Sequence, residues 1–199
     1  MAQKLIVEGN DAFAIANLCK KYGLPAPVGY ETREKFGDFV AVANGIDKVP
    51  SVLKLALSQS DLYNIGVIID ANQAGAQARW EMLRNILAGF YSSEVLDLVG
   101  AEPGPKILRE DKRPILGIWV MPDNQNDGYL ESFLSQLIPE AHQKLWEYAS
   151  DQVSQLTAQS FNELAPVKLD KARLHTYLSW KREPGLPFGT AIEAGYFDV

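Results

Sequence analysis

Lys4-Leu5-Ile6-Val7-Glu8-Gly9-Asn10-Asp11 is an apolar strand that runs straight into an acid and a glycine, with a helix following at once. Ile65-Gly66-Val67-Ile68-Ile69-Asp70-Ala71-Asn72 is a second such strand, and it also ends in an acid. Strands that are apolar on both faces belong to a sheet covered on both sides. Between them the chain alternates strand and helix, which implies a parallel sheet with right-handed crossovers. The expected fold class is therefore α/β.

The pattern extends outward from these two strands. Residues 11–22 place Ala12, Ile15, Cys19 and Tyr22 at helical spacing, and Gly23 and Pro25 close that helix. Residues 26–38 read as a glycine- and charge-bearing loop. Phe39–Ala43 reads as a strand closed by Asn44-Gly45, and Pro50 suits the first turn of a helix over 50–59. Residues 75–90 carry Ala76, Trp80, Leu83, Ile86, Leu87 and Phe90 on one helical face.

After Gly100, Pro103, Gly104 and Pro105 the character changes. Residues 106–111 and 115–121 read as short strands joined by Asp111-Lys112-Arg113-Pro114, as a hairpin or as an edge extension of the same sheet. Leu130, Phe133, Leu134 and Leu137 recur at helical spacing after Asp127-Gly128. Pro139 separates them from a helix over 140–156. Residues 174–180 fit a strand or a short helix, and Glu183–Gly189 is an irregular tail. The expectation is a single domain, with a core over about residues 3–123 and a helical C-terminal elaboration over about 124–199.

Composition bounds the function classes. At 199 residues the chain can bury a real core, and its 47% hydrophobic and 22% charged content is that of a globular protein. Residues 1–20 lack a charged start followed by a long apolar run, so no secretory signal is expected. No stretch approaches the roughly 20 apolar residues of a membrane span. A cytoplasmic location fits the lone Cys19, which is expected to pack in the core. The net charge of −6 argues against a broad nonspecific nucleic-acid surface, which would be basic.

In an open parallel sheet, ligands bind beyond the carboxyl ends of the strands. Glu8, Asp70 and Asp123 each follow an apolar strand and converge there if the last strand runs parallel to the others. Hard cations such as Mg²⁺ need only one or two carboxylates beside waters and substrate phosphates. Glu8 and Asp70 are thus a candidate pair, and Gly9 would let a phosphate approach the backbone. Asp11 is either a supporting acid or a first-turn acid that suits the helix dipole. Asp127 and Glu131 either add a second metal position or cap a helix start. Ala12, Asn72 and Gln73 are neutral where such a site would want more acids.

Lys168, Lys171, Arg173, Lys181 and Arg182 form the densest basic run, with His175, Tyr177 and Trp180 interleaved. They offer a local groove for a nucleic-acid backbone, or else a solvated face over core aromatics. His142 is expected at the surface, while His175 is either functional or a buried hydrogen-bonded side chain. With no cysteine pair near either, a structural zinc site is not expected.

Ile6-Val7-Glu8-Gly9 with Ile68-Ile69-Asp70-Ala71-Asn72 resembles the Toprim domain, the metal-binding fold of topoisomerases, bacterial primases and the overcoming-lysogenization-defect nucleases. Pro122-Asp123-Asn124, Asp127–Leu134, Leu174–Leu178 and Pro184–Gly189 extend the resemblance to a small Toprim-like family of uncharacterised prokaryotic proteins. The resemblance implies a three-layer sandwich with a mainly parallel central sheet. It implies Glu8 as general acid/base or metal ligand, and Asp70 as the first acid of an Asp-x-Asp motif that binds Mg²⁺, with Mn²⁺ as a substitute. Asn72 replaces the second acid and can still ligate through its carbonyl oxygen; Asp123 would be a further ligand. Asp11, Asp127, Glu131, Lys171 and His175 would be supporting residues. The implied activity is Mg²⁺-dependent phosphodiester chemistry on a nucleic acid. The alternatives are a non-catalytic binding module with a degenerate site, or a self-associating domain, such as a homodimer, that uses Phe188, Tyr196 and Phe197.

Overall fold

The computed structural model describes residues 2–9, 11–24, 39–59, 62–101 and 104–199. The expected loop over 26–38 lies outside them. Two compact units divide the chain, Met1–Leu130 and Glu131–Val199.

The first unit is built on a five-stranded sheet in the order β2-β1-β3-β5-β4. Its strands are β1 (Ala2–Val7), β2 (Val40–Val42), β3 (Leu62–Asp70), β4 (Lys106–Leu108) and β5 (Ile115–Met121). β1 pairs in parallel with both β2 and β3, and β3 pairs in parallel with β5. Only β4 is antiparallel, so residues 106–121 are both a hairpin and the edge of the same sheet.

Alternation along the strands divides their side chains between two faces. Ile6, Ile65, Val67, Ile69, Leu116, Ile118 and Val120 face one way. They pack under α2 (Val49–Leu57), α3 (Ala76–Leu87) and α4 (Ser93–Ala101), whose Leu53, Leu83, Leu87 and Leu96 are buried in the same core. On the other face Val7 and Ile68 meet Ile15 of α1 (Ala12–Lys21). Helices on both faces of a mainly parallel sheet make a three-layer α/β sandwich.

α1 ends as its sequence predicts. Gly23 takes φ +66°, its N–H donates to the Lys20 carbonyl, and the Leu24 N–H donates to that of Cys19. That pattern is a Schellman stop, which glycine adopts without a Cβ penalty. Tyr22, expected on the buried face, is exposed, because it caps the helix where the chain turns away. Cys19 is half-buried rather than fully in the core.

α4 is an element the sequence reading passed over, since Gly100 looked like a break. Ser92 opens it, accepting from the Val95 N–H. A Cβ on Gly100 would come within 3.1 Å of the Trp80 indole nitrogen, so this glycine serves close packing of α4 on α3.

The second unit is helical: α5 (Leu130–Ser135) leads into α6 (Gln143–Thr157), α7 (Leu169–Ser179) and α8 (Phe188–Glu193). Residues 174–180 are helix and its cap, not strand, and Leu137 lies beyond the end of α5. Leu174, Tyr177 and Leu178 are buried along α7, a spacing only a helix can satisfy. Phe197 is buried and Phe188 and Tyr196 are half-buried, so these three do not form the exposed aromatic tail expected of an interface. Among the described residues no helix is long and apolar enough to cross a membrane.

Candidate functional site

From β1 the sheet grows in both directions. β2 lies on one side of β1 and β3 on the other. The crevice beyond the carboxyl ends of β1 and β3 is therefore a topological switch point, where open α/β sheets bind ligands. Glu8 is the first residue after β1, and Asp70 is the last residue of β3. The register Val7↔Ile68 brings the two acids side by side. The Asp70 N–H donates to Glu8 Oε2 at 3.3 Å, and the Glu8 N–H donates to the Ile68 carbonyl at 3.3 Å.

The electrostatics of Glu8 are asymmetric. Burial pushes its carboxyl above the ordinary range, and nearby Asp47 adds to the rise. The hydrogen bond from Asp70 and the positive charge of Arg79 pull the other way but do not cancel it. Arg79, on α3, also donates from Nε to the Asp70 carbonyl at 3.1 Å. Arg79 and Asp47 belong to the site, and the sequence reading missed both. The available signal was positional: Asp47 follows β2, the neighbour of β1, and Arg79 lies in the first turn of the helix entered from Asp70.

Beside the acids lies a small cavity of about 10 Å³, lined by Val7, Glu8, Asp11, Ile15, Asp70 and Leu130 among others. That is room for no more than about one water molecule. Asp11 therefore reaches the same pocket as the acid pair. A Cβ on Gly9 would meet nothing within 4 Å, so packing does not demand glycine there and the backbone is open to an approaching group.

Asn72 sits just past β3 with φ +54°, a left-handed conformation that asparagine tolerates better than most residues. Its amide Nδ2 points back to the Asp70 carbonyl at 3.5 Å, and its N–H donates to the Gly128 carbonyl at 2.9 Å. A carboxylate could not make the first of these contacts, having no proton to give.

β5 runs parallel to β3, so Asp123 does emerge at the carboxyl end of the sheet. Its carboxylate is engaged in its own turn, accepting from the Gln125 N–H at 3.0 Å, the Asn126 N–H at 2.8 Å and Asn126 Nδ2 at 2.6 Å. These bonds hold its carboxyl below the usual range, the Asn126 N–H contributing most. Asp127 is exposed, and its Oδ1 stands 3.0 Å from where a Cβ on Gly75 would be. With φ +84° as well, Gly75 is fixed as glycine at the entry to α3. Among the described residues no three His, Cys, Asp or Glu side chains come together as a metal-holding group. The two carboxylates of Glu8 and Asp70 are nonetheless hard oxygen donors, which is the chemistry a Mg²⁺ ion takes when substrate and water complete its shell.

In the second unit most of the basic run is spoken for. Lys171 Nζ pairs with Glu131 Oε1 at 2.8 Å, and that carboxylate is nearly buried. Arg173 pairs with Asp170 at 3.6 Å and donates to Ser154 Oγ at 3.1 Å. Lys181 is 9% exposed and Tyr177 is fully buried, so neither is open to a strand of nucleic acid. His142 is not a bystander on the surface, for Lys181 Nζ donates to its Nδ1 at 2.8 Å. His175 stacks on Phe188 with ring centres 4.9 Å apart. Burial and the adjacent Lys171 lower its pKa, against an opposing pull from Glu131.

The chain matches the family described as "Protein of unknown function (DUF3226)" over residues 2–199, and it belongs to that family. No curated protein and no solved structure matches it.

Proposed function

We propose that this member of the family is a Toprim-like protein that acts on nucleic-acid phosphodiesters with Mg²⁺ at the Glu8–Asp70 pair. One observation carries the reading: two acids at the ends of adjacent parallel strands, the Asp70 backbone N–H donating to the Glu8 carboxylate, at the switch point of the sheet. Asp70 would hold the ion, with Glu8 beside it and the carbonyl oxygen of Asn72 as a neutral donor. Asp11 would support them across the shared pocket, and Asp123 would reach the ion through water while keeping its own turn. A bound Mg²⁺ supplies charge stabilisation to a phosphoryl group and lowers the pKa of a coordinated water.

The chain's own residues do the rest. Burial raises the pKa of the Glu8 carboxyl, a shift in the direction that suits a group that gives or takes a proton. Arg79 offers a positive charge to a phosphate beside the acids. Mn²⁺ would substitute for Mg²⁺, and the location would be cytoplasmic.

The test is cleavage of single- and double-stranded DNA and RNA with Mg²⁺ or Mn²⁺, together with metal titration by calorimetry. Asp70→Ala should abolish both signals. No metal-dependent cleavage, with metal affinity unchanged in Asp70→Ala, would overturn the reading.

A second reading is favoured by the left-handed turn at Asn72 and the engaged carboxylate of Asp123. In it the module binds metal and partner without cleaving. Asn72→Asp should then raise Mg²⁺ affinity in calorimetry while the parent protein remains inactive on every strand. Unchanged affinity would count against a shared ancestral site.

A further inference from the structure

A second cavity of the first unit lies at the opposite end of the sheet from Glu8 and Asp70. It is about 890 Å³, within the usual range for small-molecule sites. Tyr63 stands on its wall near the start of β3, seven residues before Asp70. At about 3.3 Å per residue that separates the two regions by roughly 23 Å.

Arg109, Lys112 and Arg113, at the β4–β5 hairpin, line the cavity and are all exposed. None of the three makes an ion pair or a side-chain hydrogen bond among the described residues. In a chain of net charge −6 this is a local excess of positive charge. The same cavity is lined by two rings, Tyr63, 52% exposed, and the half-buried Phe90, and by Gln59.

The hairpin that carries the cations is anchored. Two acids also line the cavity, Glu110, whose carboxylate accepts from the Ser92 N–H at 2.9 Å, and the exposed Asp111, so the three cations outnumber them by one. The Tyr91 hydroxyl donates to the Pro114 carbonyl at 2.6 Å, and the Arg113 N–H donates to the Glu110 carbonyl at 3.2 Å. The charges are thus presented from a fixed backbone rather than a loose turn.

We infer that this cleft binds a nucleoside 5′-phosphate, with the phosphate on Arg109, Lys112 and Arg113 and the base against Tyr63 and Phe90. Guanidinium groups match phosphate oxygens geometrically, and an aromatic ring accepts the face of any base. Gln59 can both donate to and accept from a base edge. The inference does not depend on the Glu8–Asp70 reading, since it uses no residue of that site. The phosphate could belong to a free nucleotide or to the end of a strand.

Calorimetric titration of the full chain with AMP, GMP, CMP and UMP, with inorganic phosphate, and with short oligonucleotides with and without a 5′-phosphate tests the cleft. At least one mononucleotide should bind. Arg113→Glu, an exposed change that leaves the fold intact, should weaken it by about tenfold or more. Tyr63→Ala should weaken the mononucleotide and leave inorganic phosphate unaffected, and Asp70→Asn should change neither. A mononucleotide that matches the phosphorylated oligonucleotide makes the free nucleotide the ligand; a much tighter oligonucleotide makes it a strand end, and either upholds the cleft. Absence of heat with every nucleotide, binding indifferent to Arg113→Glu, or binding lost in Asp70→Asn would overturn it.

Discussion

Asn72 shows how one residue can look like a defect in a metal motif and still have a physical reason to be there. Its backbone is left-handed at φ +54°, where a residue with a Cβ pays about 1–2 kcal/mol unless it is asparagine or aspartate. Asn72→Gly should therefore be nearly neutral in urea denaturation, and Asn72→Ala should cost about 1 kcal/mol. Equal stability of the two variants would show that the turn carries no strain. Glu8 gives a pH-dependent expectation at the same scale. Its pKa is raised in the folded protein, so folding binds an extra proton between the unfolded and folded values. The stability this group contributes is complete below the unfolded carboxylate value of about 4.3 and is lost as pH rises through the folded value. Glu8→Gln keeps an oxygen to accept from the Asp70 N–H and has no charge to bury. It should melt higher than the parent at neutral pH, with the difference closing as pH falls toward 4. A difference that grows on acidification would reverse the assigned shift.

At the scale of elements, the Lys181–His142 contact ties the chain just past α7 to the residue before α6. Lys181 is enclosed by His142, Tyr177 and Tyr196, with its ammonium 5.0 and 4.7 Å from the two tyrosine ring centres. Burial lowers the pKa of Lys181 and is the chief cause of the lowered pKa of His142, to which Lys181 adds. Both shifts are depressions of a basic group, so the folded protein binds fewer protons than the unfolded chain in each window. For His142 stability should fall as pH drops from about 6.5 through the folded value. For Lys181 the cost is present at neutral pH and is relieved as pH rises toward the unfolded value of about 10.4. Lys181→Met should thus raise the melting temperature at pH 7 and lose that advantage in strong alkali. A melting temperature lowered at pH 7 would mean that the two rings repay the buried charge. None of this was legible in the sequence, where Lys181 read as part of a basic run and His142 as a surface residue. Period and capping locate strands and helices, because side chains of one segment report on one face. That is why β1, β3, α1 and α3 could be read directly, along with the acids at the strand ends. Pairing across elements has no local signature. Asp47 and Arg79 beside Glu8, Glu131 against Lys171 and the engagement of Asp123 by Asn126 all became visible only once the strands were ordered. α4 was missed for a related reason, since Gly100 is set by the Trp80 ring on another helix and not by a turn in its own.

For the molecule as a whole, the question is how an acidic chain would meet a nucleic acid. A net charge of −6 repels phosphates at long range, so any contact must rest on a few local cations. The basic run around α7 offers fewer than its composition suggests, because Lys171 and Arg173 are paired with Glu131 and Asp170 and Lys181 is buried. Lys168 and Arg182 make no ion pair among the described residues and are both exposed. A cation that neutralises a phosphate adds about −0.7 to the slope of log affinity against log salt for a single strand. If the proposed nucleic-acid partner uses this segment, Arg182→Gln should flatten that slope by about 0.7 in fluorescence anisotropy. Lys171→Gln should leave the slope unchanged. It should instead cost about 1–3 kcal/mol in urea denaturation, because the nearly buried carboxylate of Glu131 loses its partner. A slope that responds to Lys171→Gln with no loss of stability would mean that the Lys171–Glu131 pair opens to take up a phosphate, and that the segment is the groove its sequence suggested.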